Sequence, residues 1–127
     1  MVIDDDADIR AALGICLHSE GFEVQLCMNG RDAIDRLEFG AHPSAIVLDL
    51  MMPGMNGFEV LESLKADPRW SLIPVVVISA NRGYSAEDLG VSVVLRKPFD
   101  LHDLLRALAP MAPAGGGARP APPAIVV

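Results

Sequence analysis

The stretch that decides the fold is AIVLDLMMPGMNG at residues 45–57, in which four apolar residues lead into Asp49. An apolar run without alternation predicts a strand that is covered on both faces, as a central strand of a parallel sheet is. The Pro, Gly and Asn residues after Asp49 predict a loop. A second run of the same kind, VVVIS at residues 75–79, ends at Ser79. The two runs therefore predict two central strands whose carboxyl ends carry polar side chains.

Shorter strand patterns and helical patterns alternate on either side of these runs. Residues 2–3 predict the end of a first strand, and residues 22–28 alternate apolar with polar, which predicts a second strand with one wet face. Residues 93–95 predict a fifth strand, followed by a helix that Asp100 can cap. The pattern is weak between residues 81 and 90, where it predicts at most a short helix over residues 86–89.

Five strand and helix repeats predict an α/β fold of the (βα)₅ type, with a doubly wound parallel sheet and helices on both faces. Because the second strand alternates, we expect it at an edge, which gives the strand order 2-1-3-4-5 of flavodoxin-like folds. The fourth helix is predicted to be shortened. In this order a ligand is expected over the carboxyl ends of strands 1 and 3.

Polar side chains follow four of the predicted strands: Asp4 and Asp5 after strand 1, Asp49 after strand 3, Ser79 after strand 4 and Lys97 after strand 5. Alone, three aspartates after a strand more often cap a helix, but the combination at four strand ends favours a site. Crowded carboxylates repel one another unless a cation lies among them, and oxygen ligands without His or Cys favour Mg²⁺. Mg²⁺ usually acts with phosphate oxygens, so the sequence predicts phosphoryl chemistry with an Asp nucleophile.

These motifs together resemble a response-regulator receiver domain, the CheY-like domain of two-component phosphorelay systems. The motifs occur in order as VIDD at residues 2–5, VLDLMMPGMNG at 47–57, VISA at 77–80 and KPF at 97–99. The resemblance extends to Ala109. It implies that Asp49 accepts a phosphoryl group from a sensor histidine kinase or a histidine phosphotransfer protein. It also implies that Asp5 and Asp49 bind Mg²⁺ directly with the Met51 backbone carbonyl, while Asp4 acts through water.

The resemblance implies roles for the phosphoryl-binding side as well. Ser79 would bind a phosphoryl oxygen, and Lys97 would pair with the phosphate. Ala80 would be the small residue that leaves access to Asp49, and the bond from Lys97 to Pro98 would be cis.

Two features depart from the family pattern. Ser79 and Lys97 are 18 positions apart, about one helical turn less than the family has, and the loss falls in residues 81–90. The family often has an aromatic residue three positions before the Lys, where this chain has Val94. Tyr84 could substitute for it, although ordinary packing of a loop tyrosine is favoured. The phosphorylation chemistry is predicted to be intact and its readout altered.

Composition excludes other classes. The 127 residues suit one domain, and a net charge of −7 with a pI near 4.7 argues against direct nucleic-acid binding. No apolar run is long enough for a membrane span and no basic signal-peptide start is present, so we expect a cytoplasmic protein. Residues 110–127 contain five Pro and three Gly, which predicts a disordered tail after a receiver domain at residues 1–109. No output domain follows, so we expect a stand-alone receiver.

The leading hypothesis is a binding module that is controlled by phosphorylation and acts on a downstream protein, rather than an enzyme. A phosphatase or phosphotransferase of the dehalogenase type would have a second acid two residues after the nucleophile, where this chain has Met51. A flavin carrier shares the fold, but strand-end carboxylates would repel the flavin phosphate. A pseudo-receiver that serves only as an interaction scaffold stays open because of the shortened fourth helix.

Overall fold

The computed structural model describes residues 1–52, 54–80 and 83–111. In this part of the chain five parallel strands alternate with five helices. The strands are β1 (Val2–Ile3), β2 (Leu26–Cys27), β3 (Ile46–Asp49), β4 (Val75–Ser79) and β5 (Val93–Arg96). The helices are α1 (Ala7–Ser19), α2 (Gly30–Glu38), α3 (Gly57–Ala66), α4 (Ala86–Leu89) and α5 (Leu101–Leu108), followed by a 3₁₀ turn at Ala109–Met111. Residues 112–127, which the composition predicts to be disordered, lie outside the described residues.

The sheet order is β2-β1-β3-β4-β5, and every pairing is parallel. The predicted strand order and the short fourth helix are therefore confirmed. Every residue of β3 and β4 is buried, as their uninterrupted apolar sequence predicts, because helices cover both faces of the sheet. One apolar cluster lies between the sheet and α2, α3 and α4, and the other lies between the sheet and α1 and α5. Among the described residues, no helix is both long and apolar enough to cross a membrane.

The second strand follows the predicted alternation except at Met28, which is 58% exposed. Phe22, Val24 and Leu26 pack into the cluster under α1 and α5, as the alternation indicates. On the other face, predicted to be wet, Glu23 is exposed, whereas Cys27 is fully buried as a small apolar residue. Helix α2 starts at Gly30, directly after the strand, and its apolar side packs over Cys27. The edge position of β2 is right, but that edge is covered on both faces.

A glycine at the start of α3 determines how closely that helix approaches the end of β3. A Cβ atom at Gly57 would lie 2.6 Å from Leu50 Cα and 2.7 Å from the Asp49 carbonyl oxygen. Both neighbours are backbone atoms, so neither can move aside as a flexible side chain can. The close approach lets the Gly57 N–H donate to the Leu50 carbonyl at 2.9 Å. Only glycine fits this contact between helix and strand.

We expect the Gly57→Ala variant to lose about 2 kcal/mol of unfolding free energy, because the added methyl group forces α3 away from the loop after β3. Urea denaturation followed by circular dichroism measures this loss. Gly14→Ala is the control, since there the added Cβ meets only the flexible Leu26 side chain, at 3.1 Å. Equal urea midpoints for wild type and Gly57→Ala would show that the helix can shift without cost.

Candidate functional site

Three carboxylates meet at the carboxyl edge of the sheet. Strand β1 lies beside β3 with Ile3 opposite Leu48, so the next residues, Asp4 and Asp49, reach the same edge. Oxygen atoms of Asp4, Asp5 and Asp49 lie within 4.8 Å of one another. Asp4 is 1% exposed and Asp49 is 4% exposed, whereas Asp5 is open to solvent. The structure thus brings together the three acids that the sequence places at these strand ends.

One oxygen of this cluster is buried without a hydrogen-bond donor. Asp4 Oδ1 accepts a hydrogen bond from the Asp6 N–H at 2.9 Å, but no donor within the described residues reaches Asp4 Oδ2. An ionised oxygen that is removed from water and accepts no hydrogen bond is costly. A bound cation, or a water molecule held by it, would satisfy this oxygen, and the all-oxygen donor set suits Mg²⁺. The residues present therefore fit a Mg²⁺ site.

Lys97 supplies the positive charge that faces the carboxylates. Its Nζ lies 3.6 Å from Asp49 Oδ1 and 3.9 Å from Asp4 Oδ2. The Lys97 backbone N–H donates to the Ser79 carbonyl at 3.0 Å, which holds the end of β5 against β4. The Lys97–Pro98 peptide bond is cis, as the resemblance implies. One ammonium thus lies between two buried carboxylates, so the cluster keeps an excess of negative charge.

The pKa values of the two buried acids reflect this environment. Burial and, to a smaller extent, the Asp4 carboxylate raise the pKa of Asp49 to about 6, against the opposing effects of Lys97 and the Met51 N–H. Burial also raises the pKa of Asp4, against the opposing Asp6 N–H and Lys97. Ionisation of Asp49 therefore opposes folding when no cation is bound.

We expect Asp49→Asn to stabilise the metal-free protein at pH 8. The folded-state pKa of Asp49, about 6, lies above the ordinary value of 3.8, so wild-type stability falls as the pH rises from about 4 through 6. The amide removes a repulsion of about 1 kcal/mol after screening, which corresponds to a melting temperature about 4 °C higher. The gain should shrink as the pH falls below 6, because Asp49 then becomes neutral in the wild type.

Thermal melts in the presence of a chelator, between pH 4 and pH 8, measure this effect. Asp35→Asn is the control, since that carboxylate is exposed on α2 and pairs with Arg31. A destabilised Asn variant at pH 8, or a gain that is independent of pH, would mean that the carboxylates do not repel one another.

The remaining predicted site residues lie around this cluster. Ser79 is fully buried at the end of β4, the strand next to β3. Ala80 is exposed beside it. The Met51 N–H donates to Asp49 Oδ1 at 3.3 Å, and the Met51 side chain is 63% exposed. All four strand ends therefore contribute to one region, although the role of each residue remains a prediction.

The segment before β5 is attached to α3 rather than to the carboxylate cluster. Tyr84 packs edge-on against Phe58 of α3, with ring centroids 5.1 Å apart. At the other end of α4, Lys65 of α3 donates to the Leu89 carbonyl. Val94, at the position that is often aromatic in the family, is half-buried against the apolar cluster between the sheet and α2, α3 and α4. Tyr84 thus has the ordinary packing role that the sequence favours.

One contact at the site is missed by the sequence. The Arg10 side chain reaches back from α1, and its Nη1 donates to the Asp4 carbonyl at 2.7 Å. The signal for it is weak, because an arginine one turn into a helix usually faces solvent.

The sequence matches the family described as the response regulator receiver domain over residues 1–109. The chain belongs to this family. This receiver domain is 36% identical over 109 residues to Response regulator MprA of Mycolicibacterium vanbaalenii, a match that covers 83% of the chain and 46% of MprA. The chain therefore spans about half the length of the curated relatives it matches.

Solved structures show the same fold. The CheY-like receiver domain protein from Methanospirillum hungatei superposes with a TM-score of 0.72 at 32% identity, covering 84% of this chain and 86% of that one. TrrA from Thermotoga maritima, solved in complex with Mg²⁺ and BeF, has a TM-score of 0.76 at 24% identity and covers 87% of this chain and 95% of its own. The similarity to the Methanospirillum hungatei protein agrees with the family match, and the similarity to TrrA shows the fold.

Proposed function

We propose that this receiver domain accepts a phosphoryl group on Asp49 from a sensor histidine kinase or a histidine phosphotransfer protein, in a reaction that requires Mg²⁺. The observation that supports this most directly is the arrangement of Asp4, Asp5 and Asp49 within 4.8 Å of one another, with the Lys97 ammonium 3.6 Å from Asp49. Membership of the receiver family supports the same function.

In this proposal Asp5 and Asp49 bind Mg²⁺ directly, together with the Met51 backbone carbonyl. Asp4 acts through a water molecule, which would satisfy its unpaired Oδ2. When bound, Mg²⁺ neutralises charge on the phosphoryl oxygens and on the carboxylates. TrrA, which has the same fold, was solved with Mg²⁺ and BeF, in keeping with this choice of cation.

The chemistry on the protein side is a substitution at phosphorus. An Asp49 carboxylate oxygen forms a bond to phosphorus as the bond to the donor's imidazole nitrogen breaks, and that nitrogen leaves with the electron pair. The product is an acyl phosphate on Asp49. Lys97 then pairs with the added negative charge, and the Ser79 hydroxyl binds a phosphoryl oxygen. Exposed Ala80 leaves room for the donor to approach.

Further parts of the proposal concern the whole protein. We propose that it is a cytoplasmic receiver that signals to a downstream protein by a conformational change, rather than an enzyme. We place the receiver domain at residues 1–109. The 3₁₀ turn at Ala109–Met111 lies at this boundary.

Labelling with acetyl phosphate and Mg²⁺, read by intact mass, tests the central step. We expect one phosphoryl group per chain with Mg²⁺ and none when a chelator is present. A pseudo-receiver scaffold, which the one-turn α4 keeps as a second candidate, would remain unlabelled in both conditions.

A further inference from the structure

Arg10 contacts both ends of the short loop that carries the β1 acids. This loop, residues 4–6, connects β1 to α1. At the first residue of the loop, Arg10 Nη1 donates a hydrogen bond to the Asp4 carbonyl at 2.7 Å. At the last residue of the loop, the Arg10 backbone N–H donates a hydrogen bond to the Asp6 carbonyl at 2.9 Å. The second bond is the ordinary i to i−4 bond of the helix, so only the side-chain contact with Asp4 is specific to arginine.

The loop needs such support because β1 is short. The strand has two residues, and beyond it the Asp4 N–H reaches the Cys27 carbonyl of β2 at 3.3 Å, past the usual range for a good hydrogen bond. The Arg10 contact is much shorter and is made by a charged donor, which strengthens it. Beyond the end of the strand pairing, the Asp4 carbonyl is therefore held by a short contact with Arg10.

The guanidinium acts on the backbone, whereas Lys97 faces the carboxylates. Lys97 Nζ lies within 4 Å of oxygens of both Asp4 and Asp49. Arg10 Nη1 instead donates to a backbone carbonyl, that of Asp4, at 2.7 Å. The two cations thus have separate roles, one electrostatic and one geometric.

We propose that Arg10 is a positioning residue for Mg²⁺ binding, which holds the Asp4 carbonyl so that the carboxylates of Asp4 and Asp5 face Asp49. This inference rests on the proposed function. Outer-shell partners of this kind typically change metal affinity by about tenfold, and we expect that loss in Arg10→Met. Lys and Met both have unbranched side chains, but only Lys carries a charged donor. Arg10→Lys should therefore keep most of the wild-type Mg²⁺ affinity.

Calorimetric titration with Mg²⁺ alone, without a phosphodonor, tests the inference. Wild type, Arg10→Met, Arg10→Lys and the control Arg31→Met are compared at low and high NaCl, below their melting temperatures. Arg31 is exposed on α2, so its loss removes the same charge away from the site. We expect the ratio of dissociation constants between Arg10→Met and wild type to persist at high salt. Labelling of Arg10→Met by acetyl phosphate should return to the wild-type rate at saturating Mg²⁺.

Three results would overturn the inference. In the first, Arg10→Met binds Mg²⁺ as the wild type does. In the second, its loss equals that of Arg31→Met and disappears in salt, which indicates a general charge effect. In the third, Arg10→Lys binds Mg²⁺ as weakly as Arg10→Met. Should the Met variant not fold, a complete loss of Mg²⁺ affinity in Arg10→Lys overturns the inference equally.

The same titration separates this inference from the proposed function. A wild-type protein that binds no Mg²⁺ contradicts the proposed function itself. Wild-type binding and labelling together with an unaffected Arg10→Met contradict the role of Arg10 alone.

Discussion

The Asp49→Asn variant should gain no phosphoryl mass when it is incubated with Mg²⁺ and acetyl phosphate, while the wild type gains one group. The amide has no ionised oxygen to attack phosphorus, and its nitrogen is a poor nucleophile. The other residues of the site stay in place, because Asn has nearly the shape of Asp and can still accept the Met51 N–H. We therefore expect complete loss rather than a slower reaction.

Intact mass over a time course measures this result, and a phosphorylated wild type provides the positive control. Asp35→Asn, on the exposed side of α2, should be labelled like the wild type. Labelling retained in Asp49→Asn would mean that a different carboxylate is the acceptor. Labelling lost in Asp35→Asn as well would point to an indirect effect of charge.

The second large effect is the stabilisation of the protein by Mg²⁺. A ligand that binds only the folded state at a hundredfold excess over its Kd adds about 2.7 kcal/mol, which is roughly 10 °C in melting temperature for a domain of this size. The gain would arise because the cation relieves repulsion among three carboxylates, while a water molecule on it would satisfy Asp4 Oδ2. We expect Asp5→Asn to lose most of this shift, because it removes a proposed direct ligand.

Asp6→Asn is the matched control, since it changes the same charge in the same loop. Asp6 caps α1 by accepting from the Asp8 and Ile9 N–H groups, and Asn caps helices equally well. Its Mg²⁺ shift should therefore equal that of the wild type. The ligand assignment is wrong if thermal melts show the shift retained in Asp5→Asn and absent in Asp6→Asn.

The strand-end residues could be predicted because their placement follows from topology alone. Once the apolar runs ending at Asp49 and Ser79 are central parallel strands, their carboxyl ends must share one edge of the sheet. The one-turn helix at Ala86–Leu89 was also predictable, because Ser85 is a good cap and Gly90, at φ +65°, a good terminator. These signals are local in sequence.

The features that sequence could not give depend on contacts between elements. Met28 continues the apolar alternation of residues 22–28 but is 58% exposed, because the pattern does not report that β2 ends at Cys27. The Arg10 contact with the Asp4 carbonyl depends on a rotamer, and the contact of Tyr84 with Phe58 joins a loop to a helix. Neither contact has a periodic signature along the chain.

The attachment of α4 to α3 has a consequence for where a signal would emerge. Helix α4 has a single turn, with the Tyr84 ring against Phe58 before it and the Leu89 carbonyl bonded to Lys65 at its end. So short a helix has little surface of its own to offer a partner. It also cannot move along α3 without breaking the Tyr84–Phe58 contact or the hydrogen bond from Lys65. A displacement that starts at Ser79 would therefore carry α3 with it, and the two helices would present their change to a partner as one composite face.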